Sequence, residues 1–241
     1  MDVTNIKLFK NIFTELDKIC DEIKFKIYED KLYCAFMNRG HTVFCRANIK
    51  CIITKPSEVS EEFILDLHQF SKILKNIGST GELTLTLSES YLDIKYVDKS
   101  KKKYRMGLVE YSNVDNRELP KMDYQLFTVP LEFIKESLKD IKLVSTKSCR
   151  FTTHDEYFLI SLKEPTVMLT EYENSIYVGE YESQQSSYAL ALLDLFLNFK
   201  EVSKTIDIGF KEKNPLKLVI NNDEATIEGV VAPFLDTEEC Y

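Results

Sequence analysis

No run of about 18 apolar residues occurs anywhere in the chain, so no helix of it is expected to cross a bilayer. Met1 to Phe9 lacks a signal-peptide pattern, and the expectation is an intracellular protein with no membrane partner. None of the six cysteines (Cys20, Cys34, Cys45, Cys51, Cys149, Cys240) stands in a CxxC pair. The three histidines (His41, His68, His154) fall at no metal-ligand spacing with them, so reduced thiols, no structural zinc and no cofactor are expected. A GxxxxGK[ST] phosphate loop is absent, which excludes nucleotide hydrolysis as a built-in energy source. Around His41, the neighbours Asn38, Arg39, Thr42 and Cys45 assemble no nucleophile with an orienting acid. The chain reads as a non-enzyme with no catalytic residue.

What is present is enough for real cores. At 241 residues with 44% hydrophobic content the chain accommodates two small domains or one large one. Its net charge of −8 taken alone argues against nucleic acid. The average, however, conceals a pattern in where the positive charge lies.

The stretch from Val109 to Tyr124 has no sustained apolar period and no glycine, and it carries Glu110, Asp115, Glu118, Asp123 and Pro120. It reads as an extended connector. The half before it is echoed by the half after it: an amphipathic helix, short strands, a second helix, then more strands. The expected organisation is therefore a first domain over 1–108, a connector over 109–124 and a second domain over 125–241. The fold class is α+β, with two similar domains of antiparallel sheets and two amphipathic helices each.

The first helix is expected over Ile6 to Cys20, with Phe9, Ile12, Phe13, Leu16 and Cys20 inward and Lys7, Asn11, Thr14 and Lys18 outward, Lys10 beside them. A second over Gln69 to Ile77 buries Phe70, Ile73, Leu74 and Ile77 and turns His68, Lys72 and Lys75 the other way. The third, Leu131 to Val144, buries Phe133, Ile134, Leu138 and Ile141 and lines up Lys135, Lys139 and Lys142. A fourth is expected from Ala189 to about Val202, burying Leu192, Leu195, Phe196 and Phe199. Strands are expected between them, with Ser100 to Lys103 a basic hairpin tip and four strands spread over 148–183. Lysine opposite the core is ordinary amphipathicity for one helix. Repeated on three helices of an acidic chain, it points to a basic surface that attracts a phosphate backbone without reading bases.

The two like halves, the strap between them, SKILK at Ser71 to Lys75, Pro215 in NPLKLVI, and Ala232-Pro233 before an acidic tail resemble the proliferating cell nuclear antigen family of DNA sliding clamps, in its archaeal and eukaryotic branch. The likeness runs over essentially the whole chain, in order. It implies the DNA clamp fold and a closed trimeric ring of helices around a hole, with sheets outside. Such a ring encircles duplex DNA without sequence specificity and holds polymerases and other replication and repair enzymes at high effective concentration. It needs a clamp-loader ATPase to open it. The place of action would be the cytoplasm or nucleoid, the nucleus, or a viral replication site, according to the host.

Carried over by position, Lys10, Lys72 and Lys75 match lysines that face DNA in the family, and the helical wheels add Lys7, Lys18, Lys135, Lys139 and Lys142. The fourth helix departs from the pattern, since its expected outward face is Leu190, Asp194, Leu197 and Glu201. Either that quarter contacts DNA weakly, or the helix is rotated from this reading, or part of the encircling role is given up. The family's partner peptides dock under the connector in an apolar pocket. The matching positions are Met37, His41, Leu119, Pro120, Pro215, Val230, Ala232, Pro233 and Leu235. Subunits of the family join sheet edges, here about 103–109 against about 166–172, which makes Met106, Leu108, Val167 and Leu169 interface candidates. Two other classes fit the same residues: a monomeric clamp-like processivity subunit, and an α+β interaction protein without a DNA role.

Overall fold

Alternating apolar residues set most strands of this protein, and along these every second side chain is buried. In a computed structural model, residues 2–28, 31–51, 62–110, 122–145, 147–163 and 171–235 are described. They divide into two units, 1–119 with 221–227, and 120–220 with 228–241.

The first unit holds β1 (Asp2–Val3), α1 (Ile6–Leu16), β2 (Glu22–Tyr28), β3 (Lys31–Met37), β4 (Val43–Lys50), β5 (Glu62–Asp66), α2 (Leu67–Lys75), β6 (Glu82–Leu87), β7 (Tyr91–Val97) and β8 (Lys101–Gly107). Its strands form a sheet of order β1-β6-β7-β8 and a run β5-β2-β3-β4, antiparallel in every register described. The helices are fixed by aromatics. Phe13 of α1 lies edge-on to Phe70 of α2 at 4.9 Å, and Phe25 of β2 is 5.6 Å from Phe13 and stacks on Phe63 of β5 at 5.3 Å. With one face of each helix held in this cluster, the opposite face is turned to solvent.

The second unit holds β9 (Phe127–Pro130), α3 (Leu131–Ile141), β10 (Ser148–His154), β11 (Tyr157–Lys163), β12 (Glu171–Tyr177), β13 (Gln184–Ala189), α4 (Leu190–Leu193), β14 (Thr205–Gly209), β15 (Leu216–Asn221) and the later part of β16 (Ala225–Val231). One sheet has the order β12-β11-β10-β13 and a second run is β16-β15-β14-β9. Phe158 of β11 is fully buried, and Phe127, Phe133, Phe151 and Phe210 surround it at 4.9, 6.2, 5.2 and 6.4 Å.

Several expected boundaries move. The first helix stops at Leu16 and leaves Cys20 in the turn beyond it, and the third stops at Ile141. The second starts at Leu67 because Asp66 caps it: its Oδ1 accepts from the Gln69 amide at 2.8 Å. Asp66→Ala is expected to cost about 1 kcal/mol, read as a fall in the unfolding midpoint with unchanged denaturant slope. Of the basic tip expected at Ser100–Lys103, only Ser100 stays in the turn: Lys101, Lys102 and Lys103 are in strand and pair with Val97, Tyr96 and Lys95. Of the two strands expected over 166–183, positions 166–170 lie outside the described residues; within 171–183 the strand β12 ends at Tyr177, and β13 lies where none was expected.

The fourth helix differs most. It is one α turn followed by a 3-10 turn at Asp194–Phe196, and Leu190, Leu193, Phe196 and Phe199 are all buried. That is a spacing of three, the 3-10 period, not the 3.6 on which the wheel was drawn. Leu190 and Leu197, expected outward, are inside, while Leu192 and Leu195 are only half-buried. Gly229 makes this possible, because a Cβ there would collide with the Phe196 ring.

Candidate nucleic-acid interface

The outward face of α2 carries His68, Lys72 and Lys75, all exposed, at i, i+4 and i+7. The two lysines occupy the last turn, where ammonium groups also complement the helix dipole. Asp17, the C-cap of α1, reaches toward this face: one carboxylate oxygen lies 3.3 Å from His68 Nδ1 and the other 3.8 Å from Lys75 Nζ. Lys7 on α1 and Lys18 in the turn after it are exposed, and Lys18 is tied to Glu15 at 2.6 Å.

Lys10 departs from expectation. Its Nζ donates to the Ile77 carbonyl at 2.5 Å, and Lys102 Nζ donates to the adjacent Asn76 carbonyl at 2.6 Å. Two ammonium groups thus satisfy carbonyls at the end of α2, which otherwise lack partners. Burial, then the charge of Lys102, holds the Lys10 ammonium below its usual range. Lys10 is a helix-end donor here and not a free cation. Sequence periodicity places it on the right side of α1 but says nothing about a carbonyl 67 positions away in the chain.

In the second unit, Lys139 is exposed and Lys135 half-buried on α3. Lys142 is committed to Asp194, with its Nζ 2.6 and 2.5 Å from the two carboxylate oxygens. The acidic residue expected to weaken the fourth helix therefore also neutralises a lysine of the third. At the positions matching His68, Lys72 and Lys75, counted from the first helical residue, the fourth helix and its extension carry Ala191, Leu195 and Asn198.

The residues expected to take partner peptides lie in both units, and each part stands by itself. In the first, the 38–42 loop is locked by Asn38, whose side-chain oxygen accepts from the amides of Thr42 and Val43, both at 2.9 Å. His41 has φ +53°, is exposed, and places Nδ1 3.1 Å from Met37 Sδ. In the second, Pro215, Ala232 and Pro233 are half-buried and Leu235 exposed, but Val230 is buried within β16 and offers no contact surface. Leu119 and Pro120 lie outside the described residues.

Three apolar neighbours had gone unrecognised. Tyr124 and Leu126 close over Gly209, where a Cβ would fall 2.9 Å from Tyr124 Cβ and 2.6 Å from Leu126 Cδ2, and Leu126 stays substantially exposed. Phe234 is held by its amide donating to the Ser187 carbonyl at 2.7 Å, which fixes the run from Ala232 to Leu235 against β13. An exposed leucine beside a connector, and a phenylalanine between Pro233 and Leu235, were the signals available in the sequence.

No family model matches the chain. Curated relatives do, end to end. The DNA polymerase sliding clamp of Thermococcus gammatolerans is 27% identical over 240 residues, covering 95% of this chain and 96% of its own. That of Thermococcus onnurineus is 26% identical over 241 residues, with the same coverage. Over nearly its whole length, then, the chain is similar to DNA polymerase sliding clamps. Its fold agrees: PCNA from Thermococcus kodakaraensis superposes with a TM-score of 0.84 at 20% identity, covering 97% of this chain and 99% of the other. PCNA from Entamoeba histolytica does so at 0.82 and 16%, covering 97% and 98%.

Among the edge strands of the described residues are β8, last in the β1-β6-β7-β8 sheet of the first unit, and β12, first in the β12-β11-β10-β13 sheet of the second. Their sequences, KKKYRMG and EYENSIY, are opposite in charge. On β8 the side chains of Lys101, Lys103 and Arg105 are exposed, and Arg105 is braced by a bidentate pair with Asp93 (2.8 and 2.9 Å) and lies over the Tyr91 ring at 3.9 Å. On β12, Glu173 is exposed, Tyr172 Oη donates to Asp140 at 3.2 Å, and Asn174 donates to Ser137 at 2.9 Å. Met106, expected at a subunit contact, is 4% exposed and packs inside its own unit because it falls on the inward parity of β8. Leu108 is half-buried, its amide donating to the Ser90 carbonyl at 2.9 Å. Val167 and Leu169 lie outside the described residues.

Burial pushes the Cys34 thiol up to about 12 and also raises those of Cys20 and Cys149, which disfavours the thiolate at these three positions.

Proposed function

We propose that this chain is a DNA sliding clamp. Copies assemble as a trimeric ring that encircles duplex DNA, contacts its phosphates through the cationic helix faces, and tethers polymerases and other enzymes without catalysing a reaction. The observation that carries this reading is the end-to-end match to DNA polymerase sliding clamps on a chain that keeps its exposed lysines on the solvent face of α2. Ring closure rests on β8 of one copy accepting β12 of the next. This head-to-tail union leaves neither edge open, and opposite charge favours it over β8 meeting β8. Partner peptides dock on apolar residues of the second unit, Tyr124, Leu126, Pro215, Pro233, Phe234 and Leu235, the exposed leucines supplying contact area. Opening the ring falls to a separate clamp-loader ATPase.

Light scattering after size exclusion tests closure. A mass of three chains is expected, whereas a mass near 28.1 kDa at micromolar concentration favours a monomeric processivity subunit. Once loaded on circular duplex the protein is expected to persist and to leave when the circle is cut. Lys72→Ala with Lys75→Ala is expected to weaken DNA binding equally on all sequences and to lower the salt slope by about one for each phosphate deprived of its ammonium partner. An unchanged slope would remove α2 from the interface.

A further inference from the structure

We infer that His68 is a further phosphate-contacting residue on the α2 face, one whose contact strengthens as pH falls. The inference rests on the sliding-clamp reading and deepens it. His68 opens the stripe that Lys72 and Lys75 continue, and its side chain is 60% exposed. Its ring is also held in place. Asp17 is 11% exposed at the end of α1, and its carboxylate can only accept, so the 3.3 Å contact places a proton on His68 Nδ1. Nε2 is then the atom left to face a ligand.

In the neutral ring Nε2 presents a lone pair, which repels a phosphate oxygen. Taking up one proton converts Nε2 into a donor and adds a positive charge, while Nδ1 remains on Asp17. The local balance is two ammonium groups, Lys72 and Lys75, against the Asp17 carboxylate, a net of about +1 that the imidazolium raises to about +2. The other charged groups near this corner do not alter that difference. Lys18 is paired with Glu15 on α1, Asp21 with Arg39 before β2, and Asp66 accepts from the Gln69 amide, with Glu22 opposite it on β2. The fourth helix carries Ala191, Leu195 and Asn198 at the matching positions and so has no such stripe.

The test is salt-titrated binding of the full chain to random-sequence duplex DNA at about pH 5.8 and about pH 7.8, on either side of the ordinary imidazole range. Wild type is expected to bind up to roughly tenfold more tightly per contacting copy at the lower pH, with a salt slope steeper by about one. His68→Gln is expected to match wild type at the higher pH and to lose the gain at the lower, His68→Lys to keep tight binding at both, and His154→Gln to respond like wild type. A full pH response in His68→Gln overturns the inference. If Lys72→Ala with Lys75→Ala still weakens binding, the sliding-clamp reading survives that result. If those lysine changes also have no effect, both fall together.

Discussion

Reversing the charge of β8 with Lys101→Glu and Lys103→Glu is expected to turn the proposed ring into single chains. Both side chains are exposed on the open edge, facing away from the unit's interior, and the strand they would meet carries Glu171 and Glu173 in its sequence. Placing like charges across a paired edge costs several kcal/mol. At about 3 kcal/mol per interface the dissociation constant rises roughly 150-fold, enough to empty a ring at micromolar concentration. Glu171→Lys with Glu173→Lys is expected to do the same from the other side. The decisive variant carries all four changes, because each edge then again meets its opposite and the trimer mass returns in light scattering. A quadruple variant that stays monomeric while remaining folded would show that these charges do not pair across the joint.

Phe158→Ala is expected to lower the stability of the second unit by about 3–5 kcal/mol, seen as a matching fall in unfolding free energy. The ring is fully buried and touches aromatics from β9, α3 and β10 as well as Phe210 after β14, so its removal leaves a cavity that no single element can close. Phe158→Leu fills part of that space and should be far milder. A fall under about 1 kcal/mol for the alanine variant would mean that the surrounding elements collapse freely.

Elements with one sharp apolar stripe were legible before any coordinates. Phe9, Ile12, Phe13 and Leu16 define α1, and Phe70 and Leu74 define α2, because each helix has a single side to bury. The segment 189–202 could not be read in this way. Six of its residues from Leu190 to Leu197 are leucine or phenylalanine, so an α-helical wheel finds apolar groups all round, and the true phase emerges only when Leu190, Leu193, Phe196 and Phe199 meet the sheet. β13 was missed because QQSSYA lacks β-branched residues, and its strand conformation is imposed by pairing with β10. For the site, the stripe of Lys72 and Lys75 was readable from spacing. The capture of Lys10 by Ile77, of Lys142 by Asp194 and of His68 by Asp17 depends on contacts between chain segments that no local period encodes.

The Lys142–Asp194 pair has a bearing on motion. A duplex moving through the proposed ring trades one set of phosphates for the next at every base-pair step, and each strong contact deepens the trough it must leave. With that lysine already answered by its own carboxylate and no cation at Ala191 or Leu195, the second unit, left with Lys139 exposed, is expected to hold each phosphate more loosely than α2 of the first. Asp194→Ala would release the lysine and tighten that hold, so one-dimensional diffusion along DNA should slow even as equilibrium affinity improves.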